Sequence, residues 1–202
     1  MKPTEILKNE HRVIEQVLNS LQAIVEESAA KGRLEEESAR LAVDFFRNFA
    51  DRCHHGKEEV HLFPWMEAKG FERNNGPTGV MLREHEIGRA HVRGMEEAIA
   101  AAAQGGGEAL MSFANHANGY IEMLREHIQK EDHCLFSMAN QIMSEEDERQ
   151  LMALFEHVEE EEMEAGTHEK YLRVAQMLAE RYQVPPAEVD LSALTCGCHH
   201  TH

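Results

Sequence analysis

The chain has 202 residues, with 20 Lys+Arg against 37 Asp+Glu and 14 His, so its formal net charge is −17 with His neutral. That balance excludes binding nucleic acid by neutralising phosphates, which rests on Lys and Arg, and disfavours anionic membrane surfaces. The natural complement of so many carboxylates and imidazoles is a cation. No run of about 18 apolar residues offers a transmembrane helix, and MKPTEILKNEH lacks the apolar core of a signal peptide. Cys53, Cys134, Cys196 and Cys198 do not resemble a disulfide framework in a chain this long. A cytoplasmic protein with reduced thiols is expected.

Strand signals are nearly absent and helical periodicity runs throughout. The first segment, 4–30, carries the stripe Leu7, His11, Ile14, Leu18, Leu21, Val25 and stops at Lys31-Gly32. The second, 34–68, is ambiguous. One stripe reads Ala42, Phe46, Phe49, Cys53, Val60, Phe63, and a competing one reads Phe45, His55, Glu59, Leu62. After the break GFERNNGPTG, Pro77 suits the first turn of a third segment, 78–104, with Met81, His85, Gly88, Val92, Met95, Ile99 and Ala102 in register. Past Gly105-Gly106-Gly107 the fourth segment, 108–142, presents Phe113, Ala117, Tyr120, Leu124, His127, Glu131, Cys134 and Met138.

Short connections between long helices predict an all-α fold, an up-down-up-down four-helix bundle over residues 1–143. A helical C-terminal extension follows over 144–184. Ser144 and Asp147 form a capping-box pattern opening a helix that runs to Gly166, and Thr167 caps another through Tyr182, stopped by Pro185-Pro186. Residues 185–202 read as a flexible tail ending in Cys196-Gly197-Cys198-His199-His200, which could bind metal, exchange thiols or be a plain terminus.

Three stripes place a metal-competent residue where an apolar one belongs: His11, His85, and His127 with Glu131. A single core histidine is ordinary. Three facing ones beside a carboxylate are costly to bury unless paired or coordinated. An internal repeat addresses the second segment. His54-His55-Gly56-Lys57-Glu58-Glu59 followed by Leu62-Phe63 matches His127-Ile128-Gln129-Lys130-Glu131-Asp132 followed by Leu135-Phe136, at a constant offset of 73. It equates His54 with His127 and Glu58 with Glu131. His and Glu at i and i+4 share a helix face, so two such pairs can supply two metals with imidazole while both carboxylates bridge. That donor set suits iron or manganese rather than zinc.

The motifs KNEHRVI, CHHGKEEVHLFP, LREHEIGRAHV and REHIQKEDHCLF, in this order on four helices, resemble the hemerythrin-like (HHE cation-binding) domain family over roughly residues 4–142. The resemblance implies a four-helix bundle around two iron ions, an oxo- or hydroxo-bridged centre that binds O2 or senses O2, NO or iron. The matching ligands are His11, His54, Glu58, His85, His127 and Glu131, with the two Glu as bridges. Oxygen-carrying hemerythrins have a further His four residues after the position of His85; here Arg89 stands there. His55, which neighbours His54 and stands three residues before Glu58, is the better candidate to complete the set, with His91, six residues past His85 and off its face, as the alternative. A metal with fewer imidazoles keeps an open position, so the small molecule is expected at the less crowded metal.

Tyr120, one turn from His127, either lines the open site or is an ordinary core tyrosine. Glu10, Glu84 and Glu126 directly precede three of the ligand histidines and are candidates to orient them, although sequence neighbours point about 100° apart on a helix. Arg89 either balances the bridging carboxylates or reaches solvent. His61, His116 and His133 read as solvated or outer residues, Met81, Met95 and Met138 as core filler, and Cys53 and Cys134 as small buried hydrophobes or redox thiols. Three functions follow as expectations: a di-iron protein binding O2 or NO for sensing, storage or protection; a di-iron redox enzyme or iron donor for Fe–S repair; or a metal-stabilised domain whose extension recruits a protein partner.

Overall fold

The computed structural model describes residues 2–158 and 166–188. Among these there is no strand, and the α-helices are α1 (Pro3–Lys31), α2 (Glu36–Phe45), α3 (Phe63–Ala68), α4 (Pro77–Ala103), α5 (Gly107–Lys130), α6 (Phe136–Ile142), α7 (Glu145–His157) and α8 (Thr167–Tyr182). The acidic run Glu159–Glu162 and the Cys196–His200 motif lie outside the described residues. Among the described residues no helix is long and apolar enough to cross a membrane.

The helix ends follow from local chemistry. Ahead of Pro3 the Lys2 N–H donates to Glu5 Oε2 at 2.7 Å and the Glu5 N–H to Lys2 O at 2.9 Å, and Gly32 closes α1 in the left-handed region at φ 68°, its N–H donating to Ser28 O, a conformation that costs glycine little. Pro77 opens α4. Ser144 and Asp147 form the expected capping box of α7, and Asp147 also accepts from Trp65 Nε1 at 2.9 Å, tying α7 to α3. Gly166, not Thr167, occupies the cap position of α8.

Between α2 and α3, and between α5 and α6, the helix widens into π-helical turns at Phe46–His55, Glu58–Leu62 and Glu131–Leu135. An i→i+5 turn takes in an extra residue and rotates everything after it. This explains why neither stripe of the second segment suffices. Phe45, Phe46, Phe49, Ala50, Cys53, His54 and His55 are all buried, while Val60 is 56% exposed. It also corrects the fourth stripe. Beyond Glu131, Leu135, Phe136 and Ala139 turn inward, whereas Cys134 is exposed and Met138 is 37% exposed.

Two apolar clusters result. One gathers Ile14, Leu18, Phe46, Phe49, Tyr120 and Leu124 with Tyr171, Val174 and Leu178 of α8. The other gathers Leu7, Phe63, Met81, Leu135 and Phe136 with Leu151 and Phe155 of α7. The C-terminal helices thus bury their apolar faces against the longer ones. On α1, α4 and the two π-containing helices, the residues between the clusters are the polar ones: His11, His54, His55, Glu58, His85, His127 and Glu131.

Candidate metal centre

All seven residues are at most 4% exposed. Their donor atoms fall into two groups that could each hold a metal ion: His11, His54, Glu58 and Glu131, and His55, Glu58, His85 and His127, with the atoms of each group within 4.8 Å of one another. Glu58 belongs to both. Its Oε1 lies 3.6 Å from His54 Nε2 and its Oε2 3.6 Å from His85 Nε2. Glu131 Oε2 lies 3.3 Å from both His11 Nε2 and His127 Nε2. Neighbouring ligands on an ion with bonds of about 2.0–2.2 Å at about 90–109° sit about 2.8–3.6 Å apart, so these spacings fit at the upper end.

The donor atoms are also in want of a partner. His11 Nε2, His54 Nε2 and all four oxygens of Glu58 and Glu131 are buried without a hydrogen bond. Each such group costs on the order of 1–3 kcal/mol, more when charged. An ion between them removes that penalty.

The other side of every ring is satisfied. Nδ1 donates from His11 to Asp132 (2.8 Å), His54 to Glu10 (2.9 Å), His55 to Asp51 (3.3 Å), His85 to Glu59 (2.6 Å) and His127 to Glu84 (2.8 Å). This fixes the tautomer and turns each Nε2 lone pair inward. The carboxylates are in turn held by cations: Asp132 by Arg12, Glu10 by Lys57, Glu84 by Lys130, and both Asp51 and Glu59 by Arg89. Glu10 and Glu84 do orient histidines, but not their neighbours: the pairs are crossed, and Glu126 is exposed. Helical spacing does not single out Asp132, offers Glu59 only on the competing stripe of the second segment, and does not single out Asp51. For the first two the repeat holds a signal, because an acid follows each proposed bridge.

The repeat is a structural one. The relation of His54, Lys57 and Glu58 to Glu10 is that of His127, Lys130 and Glu131 to Glu84. Phe136 stacks on His11 and Phe63 on His85 at 5.6 and 5.9 Å. Positions 73 apart depart from it at His55, which pairs with Ile128, and at Asp51, which pairs with Leu124. The π-helical stretch Phe46–His55 has no counterpart either. It carries His55 into the second group, stacked on His85 at 3.7 Å. His91 is elsewhere, against His116. Tyr120 packs on Phe46 and lines a cavity of about 250 Å³ with Gly88, Arg89, Val92, Met123 and the rings of His55, His85 and His127. A Cβ on Gly88 would stand 3.0 Å from Met123 Cε and 3.3 Å from Tyr120 Cε2, so the glycine lets both side chains pack close against α4 at the cavity wall.

Charges in the metal-free chain are lopsided. Burial and the nearby His11 pull His54 down to about 4, and burial with His55 holds His85 well below its ordinary value. At His127 burial acts downward too, but the Glu131 and Glu84 carboxylates outweigh it and raise the imidazole to about 9. Burial and repulsion by Glu131 keep Glu58 well above the usual carboxylate range. His127 therefore holds a proton near neutrality that a cation must displace, and Glu58 resists ionisation until a cation offsets its burial. Metal uptake should release protons and tighten as pH rises from about 6 to 9, measurable by calorimetry in buffers of different ionisation enthalpy. Without metal, His54 removes stability as pH falls from 6.5 towards 4, and His127 removes it as pH rises from 6.5 towards 9. Thermal denaturation of the metal-free chain should accordingly show greatest stability near pH 6.5.

Residues 2–139 match the hemerythrin HHE cation-binding domain. The chain belongs to that family. Uncharacterized proteins of Mycobacterium bovis and Mycobacterium tuberculosis are 26% identical to it over 155 residues, 77% of this chain. The chain spans 60% of the length of these curated relatives. No solved structure matches it significantly.

Within this HHE domain Arg89 anchors three carboxylates, two of which accept from metal-facing histidines. Its guanidinium donates to Asp51 and Glu59 at 2.8 Å and to Glu86 at 2.6 Å, which fixes the acceptors of His55 and His85 together. Arg89→Ala should weaken metal binding about 10–100-fold at the group containing His55 and leave the His11–His54 group loaded. Stepwise metal titration reads both, and equal weakening of the two would contradict this division.

Proposed function

We propose that this HHE protein is a non-heme di-iron protein that binds O2 or NO. In this reading the long helices form an up-down-up-down bundle over residues 1–143, with residues 144–184 as an extension and 185–202 as a tail. His11 and His54 would hold one iron, His55, His85 and His127 the other, with Glu58 and Glu131 bridging. The observation that carries the proposal is Glu58, whose two unpaired, buried oxygens each face a different imidazole group. Two irons so held supply one-electron chemistry and a coordination position for a diatomic ligand.

The chain's own residues decide which iron the ligand reaches. Ligand count favours the His11–His54 side, but that side is closed by Phe136 and the apolar cluster around it. The cavity borders His55, His85 and His127, so access outweighs coordination number. Its apolar walls limit water, which restrains side reactions. Burial holds the Tyr120 phenol well above its ordinary value, so Tyr120 stays protonated and able to donate a hydrogen bond to a ligand in the cavity.

The test is anaerobic loading of the metal-free chain with ferrous iron, followed by O2 or NO. Two irons per chain and reversible visible absorption bands are expected, and Gly88→Val should slow ligand binding at least about tenfold by narrowing the cavity. A chain that retains one redox-inert metal without spectral change would overturn the proposal. The cavity volume favours one second reading. About 150 Å³ of apolar space already accepts a benzene-sized molecule, so 250 Å³ leaves room for a substrate larger than a diatomic, and a di-iron redox enzyme would show irreversible oxidation with turnover of peroxide or an organic substrate.

A further inference from the structure

His91 and His116 face each other across α4 and α5, apart from both buried groups. Their Nδ1 atoms are 3.4 Å apart, with the rings at 70° to one another. Each ring lies over a glycine of the opposite helix. A Cβ on Gly119 would come within 2.5 Å of His91 Cε1, and a Cβ on Gly94 within 2.5 Å of His116 Cδ2. Both seats thus require glycine, and together they set the distance between the imidazoles. The repeat does not account for this arrangement. At the offset of 74 that relates Glu10-His11 to Glu84-His85, His91 and Gly94 correspond to Val17 and Ser20. At the offset of 73, His116 and Gly119 correspond to Val43 and Phe46.

Two imidazoles so placed can share only one N–H···N hydrogen bond, and 3.4 Å lies beyond the usual range for one. The same distance is the bite of a tetrahedral ion: bonds of about 2.05 Å at about 109° separate two nitrogens by about 3.3–3.4 Å. Imidazole pairs suit borderline divalent cations, and the tetrahedral spacing selects Zn2+ over Cu2+, which prefers a square-planar set with adjacent nitrogens about 2.8 Å apart. Both residues are half-buried, so water can complete the coordination. A chain with net charge −17 also concentrates cations at its surface.

We propose that His91 and His116 form a second, solvent-accessible site for Zn2+, independent of the buried centre. The test compares the full metal-free chain with H91A/H116A and with G94A/G119A, titrated in parallel with Zn2+. The buried donors are identical in all three, so their uptake cancels. The unaltered chain should take up one equivalent more than H91A/H116A, and the imidazole nitrogen resonances of His91 and His116 should move on the same Zn2+ addition. G94A/G119A keeps both imidazoles but pushes them off their seats, and its extra equivalent should bind at least about tenfold more weakly. Should a double variant fold poorly, the single variants H91Q and H116Q should each lose the equivalent while keeping uptake by the buried donors. Equal uptake by the unaltered chain and H91A/H116A, or unmoved His91 and His116 resonances at saturation, would overturn the site. Undiminished affinity in G94A/G119A would overturn the role of the glycine seats.

Discussion

Glu58→Gln is expected to abolish retention of a metal pair while leaving the metal-free fold intact. Glu58 is the one residue common to both donor groups, and each of its oxygens faces a different set of imidazoles. Burial and Glu131 raise the Glu58 carboxyl well above the usual carboxylate range without metal, so a neutral amide is a conservative replacement in the metal-free chain. Thermal stability of the metal-free variant should therefore stay within a few degrees of the parent. With metal the comparison reverses, because an amide is a poor bridge. Metal analysis after gel filtration should show at most one ion per chain, and the stabilisation that bound metal confers on the parent should largely vanish. Two tightly held ions in Glu58→Gln would refute the bridging assignment.

The largest expected loss of stability comes from Lys57→Met. Lys57 and Glu10 are both fully buried and form an ion pair, packed near the Phe155 ring of α7. Burial pushes the Glu10 carboxyl up, but Lys57 and His54 outweigh it and hold it well below the usual range. Removing the ammonium leaves a buried carboxylate with His54 as its hydrogen-bond partner and His168 acting only through charge, among the described residues. Breaking such a pair costs about 3–5 kcal/mol, which in a chain of this size lowers the melting temperature by roughly 10 °C. The double variant Glu10→Gln/Lys57→Met should recover much of the loss, because two neutral groups avoid the stranded charge. It should still bind metal less tightly than the parent, since His54 has lost its carboxylate acceptor. A single variant as stable as the parent would show that the pair is dispensable.

Much of the centre is legible in the order of the residues. His11, His85, His127 and Glu131 stand out because a polar residue repeated at core spacing is expensive unless something compensates it. His54 and Glu58 follow from the repeat. His55 stands only on the competing stripe, and that it turns inward together with His54 depends on the π-helical stretch Phe46–His55, because a period of 3.6 cannot represent one extra residue in a turn. The same effect displaces Val60, Cys134 and Met138 from the faces that helical spacing assigns them. The crossed pairing of Glu10 with His54 and of Glu84 with His127 is out of reach for another reason: it joins residues more than 40 positions apart, across two helices.

The net negative charge says only what the protein avoids. The sequence by itself determined the helical class, the main breaks, the pair of His–Glu motifs and their near duplication, since spacing along one helix decides which residues share a face. Only the tertiary structure decided which carboxylate steadies which imidazole, that Arg89 ties two of them together, and that the cavity opens beside His55, His85 and His127. Those are relations between helices. They depend on rotations of a fraction of a turn, which the π-helical turns supply and which leave no mark in the order of the residues.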